Sequence, residues 1–150
     1  MRRLPGTILL AAFLAIMIAP GCDTAPPKIA IENPHAELSP LIYGEGMITL
    51  TIVNQGGPDV LTGLSVDIPG AQAVLHTMDG RRMVKAGSMK IPSRQSLVMR
   101  AGSSHIMLEN MPRTIAEGTP FTLTLTFQRS ATMQVPLTMQ KPPAPAAAGS

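Results

Sequence analysis

FTLTLTF at residues 121–127 and MITLTIV at residues 47–53 are the two stretches that decide the fold, because apolar and polar positions alternate in each. A period of two sends successive side chains to opposite faces, which suits a β-strand with one face buried and one wet. Working outward, the same alternation recurs at 60–68, 96–100 and 132–137, with Gly, Pro, Asn or Ser between the segments. No stretch sustains a helical period and no internal repeat is seen. Many short strands at this spacing predict an all-β, antiparallel β-sandwich of Greek-key type. NQGGPD at 54–59 reads as a loop tip. Pro136 lacks a backbone donor, so the last strand is expected to be an edge or to be bulged there.

The chain has 150 residues, room for a single domain once its ends are set aside. Met1-Arg2-Arg3, the apolar run TILLAAFLAIMIA at 7–19 and Pro20-Gly21-Cys22 form a secretory leader over 1–21, the apolar run being short of the ~20 residues of a spanning helix. The sole cysteine stands at the end of that leader, where it is similar to a lipobox cysteine. Cys22 is therefore expected to carry a lipid and to tether the protein at the extracytoplasmic face. Ordinary cleavage, giving a soluble periplasmic protein, is the alternative. Residues 22–28 read as a linker, 29–140 as the folded domain, and the Pro/Ala-rich KPPAPAAAGS at 141–150 as a disordered tail.

Composition narrows the chemistry. Aromatic residues make up 3% and Trp is absent, which argues against sugar- or base-stacking surfaces. Without Arg2 and Arg3 the 12 basic residues fall to 10 against 9 acidic ones, and no basic cluster marks a nucleic-acid partner. The domain has no cysteine, so disulfides and thiolate metal sites are excluded. No nucleophile elbow, phosphate loop or metalloprotease motif is present, and an enzyme is not expected. The conspicuous residue is Met, 11 in all, most of which would ordinarily fill gaps in a core short of aromatics.

Spacing singles out a few of them. Asp79-Gly80 sits between extended arms and predicts a two-residue type I′ hairpin, which would set His76 opposite Met83. Directly opposed residues share a face with Cβ atoms ~4.5–5.5 Å apart. His105 and Met107, two apart, also share a face. Two imidazoles and two thioethers make a soft, neutral ligand set suited to Cu(I), whereas Zn more often recruits thiolate or carboxylate. A blue-copper electron carrier needs a Cys ligand that the domain lacks. The expected metal ligands are His76, Met83, His105 and Met107, with Met78 as a possible additional ligand. Met89, Met99 and Met111 read as core or rim. His35, after Asn33-Pro34, reads as a solvent-facing loop residue without a partner. Since protons compete for imidazole, binding is expected to weaken below about pH 6.

From His76 onward the chain resembles the PCuAC family of periplasmic copper chaperones, whose pattern is a His or Met, ten residues, Met, twenty-one residues, then His-x-Met. Here twenty-one residues separate Met83 from His105-Ile106-Met107. Ile91-Pro92, the stretch from Ala101 to Leu108, Glu117-Gly118, FTLTLTF and Val135-Pro136-Leu137 look like that family too. Six residues rather than ten separate His76 from Met83; a loss of two from each hairpin arm keeps the facing register. The resemblance implies a cupredoxin-like fold. It also implies receipt of one Cu(I) outside the cytoplasm and its passage to a copper-accepting partner, a terminal oxidase subunit or a Sco-type thiol protein; a monomer is expected. Two sulfur and two nitrogen scatterers are expected around the ion. The rival readings are a copper storage or detoxification lipoprotein and a metal-free, Ig-like binding lipoprotein.

Overall fold

The structure, a computed structural model, describes residues 25–142. The leader, Cys22 with its expected lipid, and the tail from 143 onward lie outside the described residues.

Ten strands follow one another: β1 (Ile29–Leu38), β2 (Gly46–Asn54), β3 (Asp59–Val66), β4 (Gln72–Asp79), β5 (Arg82–Lys85), β6 (Met89–Ile91), β7 (Ser96–Met99), β8 (His105–Glu109), β9 (Pro120–Phe127) and β10 (Met133–Gln140). They form one curled sheet in the order β5-β4-β8-β2-β1-β10-β9-β3-β6, with β7 added beside β2. Every pairing is antiparallel except β1 with β10, which run parallel through Ala36↔Met139 and Glu37↔Gln140. That short parallel seam joins two antiparallel halves and qualifies the expectation of a purely antiparallel sandwich. The all-β, cupredoxin-like architecture itself is borne out.

The alternation in the sequence is what builds the core. In β2 the inward row Ile48, Leu50 and Ile52 is buried, while Met47, Thr49, Thr51 and Val53 lie half-buried on the outer face. In β9, Leu123 and Leu125 are fully buried and Thr126 is exposed. Each buried aliphatic side chain contributes about 1.5–3 kcal/mol by leaving water, and both halves of the sheet feed one cluster. Met99, Met111 and Met139 are part of that cluster and Met89 packs at its rim, so these thioethers serve as packing.

Pro136 neither bulges its strand nor lies at the end of the sheet. Its register with β9 runs without interruption through Pro136↔Thr122, and β1 joins β10 only beyond it, from Met139. At Pro136 one side of β10 is locally unpaired, so the absent N–H costs no ladder bond. Asn33-Pro34 is no loop but a register shift within β1, between Glu32 and His35, with Asn33 at φ 50°. His35 is accordingly a strand residue, half exposed, whose Nε2 lies 3.4 Å from the Glu37 carboxylate.

Residues 25–28, expected to belong to a linker, are laid against the β2–β3 loop. The Gly57 N–H donates to Pro26 O at 3.1 Å, the Gln55 N–H to Lys28 O at 2.9 Å, and the Lys28 N–H to Asn54 Oδ1 at 3.2 Å. Arg129 donates to Ala25 O at 2.9 Å. The approach is so close that a Cβ at Gly56 or Gly57 would collide with backbone atoms of Pro26 and Ala25. Buried Asn54 braces the same loop by donating to Gly57 O and Pro92 O. Asp59 closes it by accepting from the Val60, Arg129 and Ser130 N–H groups and the Ser130 hydroxyl. Burial alone would raise the Asp59 pKa, but the Ser130 hydroxyl and those backbone donors together hold it below the ordinary carboxylate value.

Candidate metal centre

The outer face of β5, β4, β8 and β2 gathers the residues singled out by spacing. His76 and His105 are directly opposed across the β4–β8 pair, and Val74 opposes Met107 one row along. The two imidazole centroids lie 5.7 Å apart with the rings 72° from parallel.

The β4–β5 hairpin differs from expectation by one position. The ladder closes at Asp79↔Arg82, so the loop is Gly80-Arg81, with Gly80 at φ 62° and Arg81 outside the positive-φ residues. Gly at the first central position is the type II′ pattern, whereas Asp-Gly in the loop would have been type I′. Met83 therefore opposes Met78, and His76 opposes Lys85. Sliding a two-residue loop by one position moves each partner by two, so every side chain keeps its face. His76 and Met83 become diagonal neighbours, ~7–8 Å apart and still within reach of a long thioether chain. Met78 and Met83 are the exposed end of the group, at 38% and 39%, while His105 is only 6% exposed.

Hydrogen bonding differs between the two imidazoles. His105 follows a tight turn closed by the Arg100 N–H donating to Ser104 O at 2.7 Å. The contact of Ser104 with the Thr77 hydroxyl at 3.0 Å fastens that turn to β4. His105 Nδ1 lies 2.9 Å from Ser103 O; a carbonyl only accepts, so Nδ1 carries the proton and Nε2 keeps its lone pair. A carbonyl accepting from one ring nitrogen is what orients a metal-binding histidine. His76 Nε2 is buried without a hydrogen-bond partner. Its nearest acid, Glu109 Oε1, stands 3.9 Å away, beyond hydrogen-bond reach, and Glu109 is held at 2.8 Å by Lys85. An orphaned buried nitrogen is costly, and a soft cation between the imidazoles would satisfy it. The His76 pKa is lowered, first by burial and then by the neighbouring His105, with Glu109 opposing the shift. Neutral imidazole, the ligating form, is thus favoured.

Two residues on this face escaped the spacing argument. Met47 opposes Met107 from β2, and Glu109 continues the His105, Met107 row of β8. The signal for Met47 was an apolar side chain in the polar row of MITLTIV. Glu109 could have been found by extending His-x-Met by two more residues. Among the described residues, no group of three or more His, Cys, Asp or Glu could hold a metal; the thioethers are the further soft donors on this face.

Comparison with solved structures finds the same fold in PCuAC domains. The copper-bound PCuAC domain from PmoF2 superposes with a TM-score of 0.63 at 21% identity, covering 77% of this chain and 94% of that one. The apo PCuAC domain from PmoF1 gives 0.66 at 21%, covering 77% and 95%. The solution structure of CuI-DR1885 from Deinococcus radiodurans gives 0.55 at 21%, covering 84% and 83%. The class is thus an all-β domain of the PCuAC fold, in keeping with the resemblance read from the motifs. A family model described as LpqE-like matches residues 29–139, and the chain belongs to the LpqE-like family, which is named for a lipoprotein. No curated protein matches the chain.

Proposed function

We propose that this protein is an extracytoplasmic copper chaperone that carries one Cu(I) on the β4–β8 face, bound through His76, Met83, His105 and Met107, with Met78 alongside. The observation that carries this reading is the directly opposed His76–His105 pair, one nitrogen of which is buried and unpartnered, flanked by thioethers on the same face. The ligand set is neutral, so the loaded site keeps the charge of the ion and favours exchange onto a partner offering thiolates. Thioethers tolerate an oxidising compartment in which thiols pair into disulfides. The fold shared with a copper-bound PCuAC domain supports the same cargo. Membership of a family named for a lipoprotein supports a lipid at Cys22 and a place at the membrane surface. The copper acceptor is a thiol protein of Sco type or a terminal oxidase subunit, and the carrier works as a monomer.

The test is a Cu(I) titration of the mature domain against a competing chelator under reducing conditions, followed by X-ray absorption. One equivalent should bind, with nitrogen and sulfur both in the shell. A shell without sulfur, or wild-type affinity in the Met83→Ala/Met107→Ala double variant, would overturn the assignment.

A further inference from the structure

The outer row of β2 reads Met47, Thr49, Thr51, Val53, and one member is chemically out of place. A half-buried outer strand position next to threonines has no need of a flexible gap filler, unlike buried Met99 and Met139. Met47 is also the residue that directly opposes Met107. Two thioethers therefore stand side by side one row from the His76–His105 pair, on the side away from the hairpin tip. The opposed Met78–Met83 pair repeats the arrangement on the other side, so the imidazoles are bracketed by thioether pairs. The two brackets differ in exposure: Met78 and Met83 are open to solvent, whereas Met47 and Met107 are half-buried.

We propose, on top of the copper reading above, that Met47 is a further thioether that shares the fourth position of the four-coordinate Cu(I) with Met83, acting beside Met107 on the sheltered side of the imidazole pair. Directly opposed side chains have Cβ atoms ~4.5–5.5 Å apart, close enough for both sulfurs to reach one ion from the same strand pair. With Met47 and Met107 on the sheltered side, the ion stays coordinated when an acceptor draws on the solvent side and displaces Met83. The exchange is a ligand substitution: one copper–sulfur bond breaks as one to the acceptor forms, with no change of oxidation state.

The variant is Met47→Leu, close in shape and apolar, with Met47→Thr as a second because threonine already fills this row. Chelator competition should show a loss of Cu(I) affinity of about tenfold or more in both, each tenfold corresponding to about 1.4 kcal/mol. The sulfur contribution to the X-ray absorption of the Cu(I) form should fall, with the thermal midpoint of the apo-protein unchanged. Wild-type affinity and an unaltered sulfur shell in both variants, while His105→Ala loses the metal, would overturn the role of Met47 and leave the copper reading standing. A wild-type protein that takes up no Cu(I) would remove both.

Discussion

At the scale of single residues, His105 is the centre of the proposed site, because its hydrogen bond to Ser103 O holds the proton on Nδ1 and leaves Nε2 free for an ion. His105→Ala should cost at least about a hundredfold in Cu(I) affinity, since a ligand is worth more than the 10–100-fold typical of its outer-shell support; chelator competition reads it. The lowered His76 pKa carries a separate prediction for the empty protein. The unfolded chain takes up a proton at the ordinary imidazole value of 6.5, the folded one only at lower pH. The stability that neutral His76 contributes is therefore fully present above pH 6.5 and is lost as pH falls from there through the folded value. Urea midpoints of the apo-protein should drop across that window, and His76→Gln should flatten the drop. For the same reason, if His76 ligates copper as proposed, protonation of His76 should begin to weaken binding at lower pH than for an ordinary histidine. Residue spacing had identified both histidines and their faces. It did not reveal that they oppose each other, because a β4–β8 pairing spans 29 positions from His76 to His105 and leaves no local signature.

At the scale of elements, alternation identified β2, β3, β7, β9 and β10 within a few residues, since a two-residue period encodes which row is buried. Turn register was harder. Gly80 fits a type I′ loop as the second central residue or a type II′ loop as the first, and sequence alone does not choose between Asp79-Gly80 and Gly80-Arg81. Two glycines make contrasting predictions. Gly80→Ala meets nothing within 4 Å and feels only its φ of 62°, so it should destabilise by about 1 kcal/mol. Gly57→Ala drives a methyl into the Ala25 backbone, and should cost more, about 1–3 kcal/mol, as the hydrogen bonds of residues 25–28 are lost. Equilibrium unfolding distinguishes the two. The close approach behind the Gly57 effect could not be foreseen, because Pro26-Pro27 reads as a spacer until the loop beneath it is known.

At the scale of the whole molecule, the two antiparallel halves meet at a two-residue parallel seam between β1 and β10. No sequence period reports a junction between strands a hundred positions apart. The proposed binding face belongs entirely to one half, and the inner rows of β2, β4 and β8 beneath it pack in the common core. Such a site is built before the metal arrives, so binding should act on the folded state alone. With free Cu(I) at a hundred times Kd, stability should rise by about 2.7 kcal/mol and the thermal midpoint on the order of 10 °C; calorimetry of the apo and loaded forms measures it. A midpoint unmoved by copper would contradict binding to the folded domain.

The docked segment 25–28 has a mechanical consequence. If Cys22 carries a lipid, only Asp23 and Thr24 separate the bilayer from a chain already pinned at Ala25, a leash short enough to keep the domain close to the membrane surface. The pinned end lies at the Asn54 end of β2 and the proposed copper face begins at Met47, seven residues along, or roughly 23 Å at 3.3 Å per residue. A cargo held there would stay near the lipid, within reach of acceptors whose own copper port lies close to the membrane. Inserting a Gly-Ser spacer after Asp23 should leave affinity untouched and alter the rate of delivery to a membrane-bound acceptor; equal rates would mean that altitude does not matter.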